Sequence, residues 1–262
     1  YDNGKEAFTM RVIVGDEYGN ATPVFADSMT YLVFRPQWDM PRRILVNEVI
    51  PKVQKDIYYL AKHGYEVVDT ARNKVITDPA AIDWSDLDTN EIRFRVRQKA
   101  GTGNALVNVK FMFPNQFSVY LHDTPADHLF DLSKRTLSHG CVRVEDPVKL
   151  AGYVLAPQED WSEQRIREAI APPSAGETVT PIAVDLKQPV PVYLVYLTAF
   201  MRDGVLHFRD DPYGKDSRVN RPMGKAAPLE RSECARAGRG SRPAARPVSR
   251  GGDGLRPRRE RI

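Results

Sequence analysis

Residues 121–144, LHDTPADHLFDLSKRTLSHGCVRV, hold three of the chain's five histidines and one of its two cysteines. A thiol with an ordinary pKa near 8.5 is mostly protonated at neutral pH, so a nucleophilic cysteine needs an imidazole, a helix N-terminus or both close by. Cys141 has candidates for each: His122 lies 19 residues upstream, and a helical pattern opens about four residues downstream. Gly140 lets the backbone turn sharply just before the thiol, and successive N–H groups at such a turn can converge on a developing oxyanion. A metal site is the second reading. His122, His128, His139 and Cys141 stand at spacings of 6, 11 and 2, which match no common zinc pattern and include no CxxC pair. The third reading is a buried Cys acting as a small hydrophobe beside unrelated histidines. The residue types alone leave all three open.

The elements that must hold these groups follow from periodicity. FSVYLHD (117–123) alternates as a strand, with Phe117, Val119 and Leu121 on one face and Ser118, Tyr120 and His122 on the other. VNVKFMF (107–113) precedes it, and PNQ between them reads as a hairpin turn. Further strands are expected at 8–14, 28–34, 65–69 and 92–98. In the last of these, Arg93, Arg95 and Arg97 share one face, read as solvated. Residues 46–64 show helical spacing, with Val49, Val53, Ile57 and Leu60 on one side and Gly64 as the stop. Helices are expected again over 145–156, with Pro147 in the first turn, and over 160–171, with Asp160 and Glu163 spaced as a capping box. PVPVYLVYLTAFM and VLHFRDD read as a closing hairpin around residues 202–204.

The net charge of +4 misleads. Residues 219–262 carry eleven Arg and one Lys against four acids, a balance of +8, so residues 1–218 sum to −4 and offer no footprint for a nucleic-acid partner. That tail has no aromatic residue, six Gly and five Pro, and is expected to be disordered. It contains Cys234, and a disulfide from there to Cys141 is not expected. No apolar run approaches the length of a membrane span. The chain opens at Tyr1 in strand-like sequence, which reads as a fragment.

SHGCVRV (138–144), preceded by YLHDTP (120–125), resembles the signature of the L,D-transpeptidase (YkuD) family, and the Arg at 143 is similar to its YcbB-like branch. His122 is followed by 15 residues and then Ser138, His139, Gly140, Cys141, Val142 and Arg143. Supporting stretches such as RVIVGDEYGNATPVF, FRPQWDMPRRI and VYLTAFMRDGVLHFRDDPYG fall in family order. The resemblance implies an α+β, β-rich catalytic domain over 1–218 with mixed sheets and the Cys loop at one end. It implies a partly helical lid inserted at 41–98, excluding water from a thioester. It also implies a peptidoglycan L,D-transpeptidase: Cys141 as nucleophile, His122 as base, the carbonyl of Asp123 orienting the imidazole, and the N–H groups of Gly140 and Cys141 as oxyanion hole. Tyr120, Ser138, His139 and Arg143 would serve the substrate, Arg143 by pairing with a carboxylate. The implied partners are two peptidoglycan stem peptides, a donor tetrapeptide and an acceptor diamino acid, met in the periplasm by a domain that is not membrane-embedded, without metal or cofactor. A carboxypeptidase or amidase using the same Cys–His site, and a non-catalytic wall-binding module, are the rival readings.

Overall fold

The computed structural model describes residues 4–88, 91–101, 103–171 and 179–219. The tail expected to be disordered lies, from residue 220 on, outside the described residues, as does Cys234. In chain order the strands are β1 (Val12–Gly15), β2 (Phe25–Phe34), β3 (Trp38–Asp39), β4 (Tyr65–Asp69), β5 (Lys74–Val75), β6 (Phe94–Gln98), β7 (Val109–Met112), β8 (Leu121–His122), β9 (Thr136–Ser138), β10 (Val142–Val144), β11 (Ile182–Leu194), β12 (Ala199–Arg202) and β13 (Val205–Phe208). The helices are α1 (Arg42–Ile44), α2 (Ile50–Lys55), α3 (Tyr59–Lys62), α4 (Pro147–Leu155), α5 (Glu163–Ile170) and α6 (Asp216–Val219).

Seven strands form the main sheet in the order β11-β2-β7-β8-β10-β1-β9. It is mixed: β8–β10 and β1–β9 run parallel, and the other pairs antiparallel. β11 carries Pro189 and Pro191, which lack N–H donors, and it accordingly sits at the sheet edge. Register decides which residues meet the core. Val184, Leu32, Phe111, Leu121 and Val142 are successive cross-strand partners on one face, and α4 and α5 cover that face with Ala151, Val154, Leu155 and Ile166. The next row, Val33, Lys110, His122, Arg143 and Ile13, points the other way. The polar groups of this row are therefore held by apolar burial on the opposite face, where Phe34 and Phe111 are fully buried at about 1.5–3 kcal/mol each. A slip of one residue would swap the two faces.

Residues 38–98 build a second layer with its own core. The sheet order is β3-β6-β4-β5, and Met40, Leu45, Val49, Ile50, Val53, Leu60, Val67, Trp84 and Val96 pack together against it. The single helix expected over 46–64 is three pieces instead. A π turn, Leu45–Val49, separates α1 from α2, and Ile50 N–H reaches back to Leu45 C=O. Pro51 is the cause: it has no N–H to give, and its ring crowds the carbonyl four residues back, so the helix widens ahead of it. The segment then stops at Asp56, which is extended, before α3 begins. Ile57, expected on the apolar face, is 38% exposed. The arginines of β6 are not simply solvated: Arg97 Nε bonds Glu66 Oε2 at 3.0 Å, and Arg95 bonds Asn73 Oδ1 at 2.7 Å.

Three further expectations are corrected. The second hairpin strand is reduced to Leu121–His122, because Asn115 replaces ladder partners. Its amide donates to Phe113 C=O (2.6 Å) and Val119 C=O (2.7 Å), while its Oδ1 accepts from Phe117 and Val119 N–H. This wide loop breaks the alternation and leaves Phe117 45% exposed. The cap of α5 is Ser162, whose hydroxyl accepts from Arg165 N–H, rather than Asp160. The closing hairpin is β12–β13 alone, with Asp203 and Gly204 both at positive φ as a two-residue turn demands, while β11 pairs with β2.

Candidate active site

The parallel pairing of β8 with β10 assembles the site. Val142 N–H bonds Tyr120 C=O, and Arg143 stands opposite His122. Side chains two residues apart on a strand share a face, so Tyr120, His122, Cys141 and Arg143 make a square on the sheet face away from α4 and α5. Cys141 adjoins Tyr120 directly and His122 diagonally. All four line one cleft of about 370 Å³. Its roof is the 38–98 layer, which contributes Trp38, Glu48, Lys52 and Tyr65 among others. Polar contacts tie roof to floor, among them His139 Nε2 to Glu48 Oε1 at 2.7 Å and Arg43 to the carbonyl of Gly19 at 2.9 Å.

His122 is buried, at 7% exposure. Its Nδ1 lies 2.5 Å from the carbonyl oxygen of Asp123, which can only accept, so Nδ1 carries the proton and Nε2 keeps a free lone pair. Burial pushes its pKa down to about 4; the Asp123 bond opposes this, and the nearby Arg143 charge adds to it. The ring is thus a neutral imidazole at physiological pH. The carboxylate of Asp123 plays no part in that contact. It accepts from Asn108 N–H and amide on Oδ2 and from Thr124 N–H on Oδ1, fixing the backbone that presents the carbonyl.

Cys141 is partly exposed and free, and its Sγ lies 3.8 Å from the carbonyl of Ser118. Burial pushes the thiol pKa up, against the N–H and hydroxyl of Tyr120 and the charge of Arg143, which favour the thiolate. The Tyr120 phenol is itself driven far above its ordinary value by burial, with the thiolate charge adding to it, and so stays a donor. The resting pair is therefore a neutral thiol and a neutral imidazole. The helix expected about four residues after Cys141 starts at Pro147, with β10 between them.

The loop 138–141 is stapled from within. Ser138 Oγ donates to Cys141 C=O at 2.6 Å and accepts Gly140 N–H at 3.1 Å. Gly140 N–H, expected in the oxyanion hole, is thus engaged, whereas Cys141 N–H has no acceptor among the described residues. Gly140 adopts φ +115°, a conformation that L side chains rarely take. Arg143 faces the cleft with no carboxylate partner among the described residues, and burial pushes its pKa down. The four residues weighed as zinc ligands do not converge: among the described residues no group of three or more His, Cys, Asp or Glu is placed to hold a metal. No helix of the described residues is long and apolar enough to cross a membrane. The roof residues Glu48 and Lys52 gave no sequence signal, since a charged residue on a surface helix is unremarked until the helix is seen to face a cleft. Trp38 packs against the roof core and also lines the cleft.

Comparison with known proteins agrees with this geometry. The family model of the L,D-transpeptidase catalytic domain (YkuD) matches residues 1–192. A Haemophilus influenzae protein named "Putative L,D-transpeptidase" is 38% identical over 220 residues, covering 84% of this chain and 42% of that protein. The chain thus spans less than half the length of that relative.

Proposed function

The chain belongs to the L,D-transpeptidase (YkuD) catalytic-domain family, and on that premise we propose that it joins peptidoglycan stem peptides by 3→3 cross-links through a thioacyl-enzyme on Cys141. The observation that carries the proposal is the neutral His122, tautomer fixed by Asp123, on the strand beside Cys141 with both groups open to one cleft. In the first half-reaction the thiol turns from the Ser118 carbonyl and gives its proton to His122 Nε2. Sulfur attacks the carbonyl carbon between the third residue of the donor stem and D-Ala. The tetrahedral oxyanion accepts from Cys141 N–H. Its collapse breaks the C–N bond, the departing amine takes the proton from His122, and a thioester remains. In the second half-reaction the side-chain amine of an acceptor diamino acid attacks that thioester and loses a proton to His122. The C–S bond breaks, and the sulfur recovers the proton.

Arg143, set beside the reacting groups with no carboxylate partner among the described residues, pairs with a stem carboxylate in this reading, because its planar fork suits bidentate contact. The roof over Cys141 supports transfer to an amine over loss to water. With that substrate, the domain works in the periplasm in this reading. Intact-mass analysis after exposure to a carbapenem tests the site. A covalent adduct on the native protein, absent in Cys141→Ala and slowed in His122→Ala, is expected. Mass spectrometry of digested peptidoglycan then reads the acceptor. Cross-linked dimers are expected, and trimmed stems without dimers would replace transfer by hydrolysis.

A further inference from the structure

Tyr213 lies beyond residues 1–192, the stretch that the family model covers, yet its hydroxyl reaches Gly15 and Thr22, the residues that adjoin the Cys141 loop. It donates to Gly15 C=O at 2.6 Å and accepts Thr22 N–H at 3.4 Å. The ring is fixed in turn: it stacks on Tyr196 at 5.2 Å, Tyr196 bonds Asp211, and Lys215 Nζ lies over both rings at 4.8 and 5.3 Å. Thr22 is buried. Its hydroxyl oxygen accepts Gly15 N–H at 2.8 Å and donates its single proton to Gly140 C=O at 2.9 Å. No alternative orientation suits that hydroxyl, because one neighbour can only donate and the other can only accept.

That bond fixes a peptide plane. Gly140 C=O and Cys141 N–H belong to one planar trans unit and point in opposite directions. Holding the carbonyl against Thr22 behind the loop aims the Cys141 N–H forward, on the side where Cys141 borders the cleft. Close packing holds the segment that carries Thr22: a Cβ at Gly15 would stand 1.8 Å from the Asn20 carbonyl oxygen, so Gly15 and the turn after it have no room to shift apart from each other. We propose that Thr22 is the positioning residue of the oxyanion donor, orienting the Gly140–Cys141 peptide, and that Tyr213 braces Thr22 from the C-terminal segment. The inference rests on the thioacyl reading above.

The test separates steps that need an oxyanion donor from one that does not. Acylation of Cys141 by a carbapenem builds a tetrahedral oxyanion, whereas its alkylation by iodoacetamide is a displacement at carbon that builds none. Thr22→Val keeps the shape and removes the hydroxyl. Losing an oxyanion donor outright costs about 100- to 1,000-fold in rate, so a misaimed one is expected to slow acylation roughly 10- to 100-fold. Alkylation should stay within about two-fold, and turnover of a stem tetrapeptide should lose kcat with little change in KM. Thr22→Ser, which keeps the hydroxyl, should restore acylation to near the native rate, and Tyr213→Phe should slow it by a smaller factor than Thr22→Val. Native acylation rates in Thr22→Val would overturn the proposal, and so would equal loss of acylation and alkylation that serine does not rescue. If Thr22→Val does not fold by circular dichroism, Tyr213→Phe decides: slower acylation at unchanged alkylation supports the brace, and unchanged acylation overturns it. Native protein that alkylates but never acylates would instead sink the thioacyl reading, and this inference with it.

Discussion

Acid should unfold this protein partly through one histidine. The unfolded chain titrates His122 near 6.5, whereas burial holds it at about 4 in the fold. Between those values the unfolded state binds one more proton than the native state, so the free energy of unfolding rises with pH across that window and is level above it. The contribution is fully present above 6.5 and is lost as pH falls towards 4. A difference of 2.5 pKa units at 1.36 kcal/mol each is about 3 kcal/mol, taken to the nearest whole number. That is a large fraction of the 5–15 kcal/mol typical of a domain. Asp123 works in the opposite sense, since burial raises its pKa and disfavours the native state as it ionises; it must therefore be cancelled by comparison. Urea unfolding of native protein and His122→Gln at steps from pH 4 to 8 does this. The native-minus-variant difference should climb by about 3 kcal/mol between pH 4 and 6.5 and then stay flat. A difference that is flat throughout, or that climbs as pH falls, would refute the neutral buried imidazole and with it the account of His122 as a resting base.

The same neutral pair predicts how the thiol reacts. An ordinary thiol is about 3% thiolate at pH 7, and Cys141 should hold less, so its iodoacetamide rate should keep climbing through pH 9; a plateau near neutrality would mean a thiolate–imidazolium pair instead. Gly140→Ala places a side chain at φ +115°, which costs on the order of 1–3 kcal/mol, so a lowered melting temperature and slower acylation are expected; native values of both would show that the loop relaxes freely.

Much of the site was legible because its residues are close in sequence or obey a short period. The alternation that sets Tyr120 and His122 on one face is a property of two residues on a strand, and both line the cleft. The stretch 138–143 carries its own logic, since a Gly at positive φ ahead of a Cys is a local demand of the backbone. The sheet's apolar face was equally readable, because Leu32, Phe34, Val109 and Phe111 repeat with period two. Local reading failed where single residues overrode the pattern around them: a π turn ahead of Pro51 and an extended Asp56 interrupted the expected helix, and Asn115 replaced a strand by a wide loop.

The sequence by itself determined the chemistry on offer: a thiol, an imidazole, a turn that brings backbone donors forward, and a β-rich frame to carry them. Only the tertiary structure decided their charge states and their neighbours. Whether His122 rests protonated depends on burial by residues that share no local pattern with it. Which N–H is left for an oxyanion depends on where the hydroxyls of Ser138 and Thr22 point. Tyr213, 72 residues after Cys141 in the chain, reaches Gly15 and Thr22 beside the loop only because the last described segment folds back on β1. Desolvation and hydrogen-bond competition are sums over everything nearby in space, and a linear sequence orders its residues along only one of the three directions in which they act.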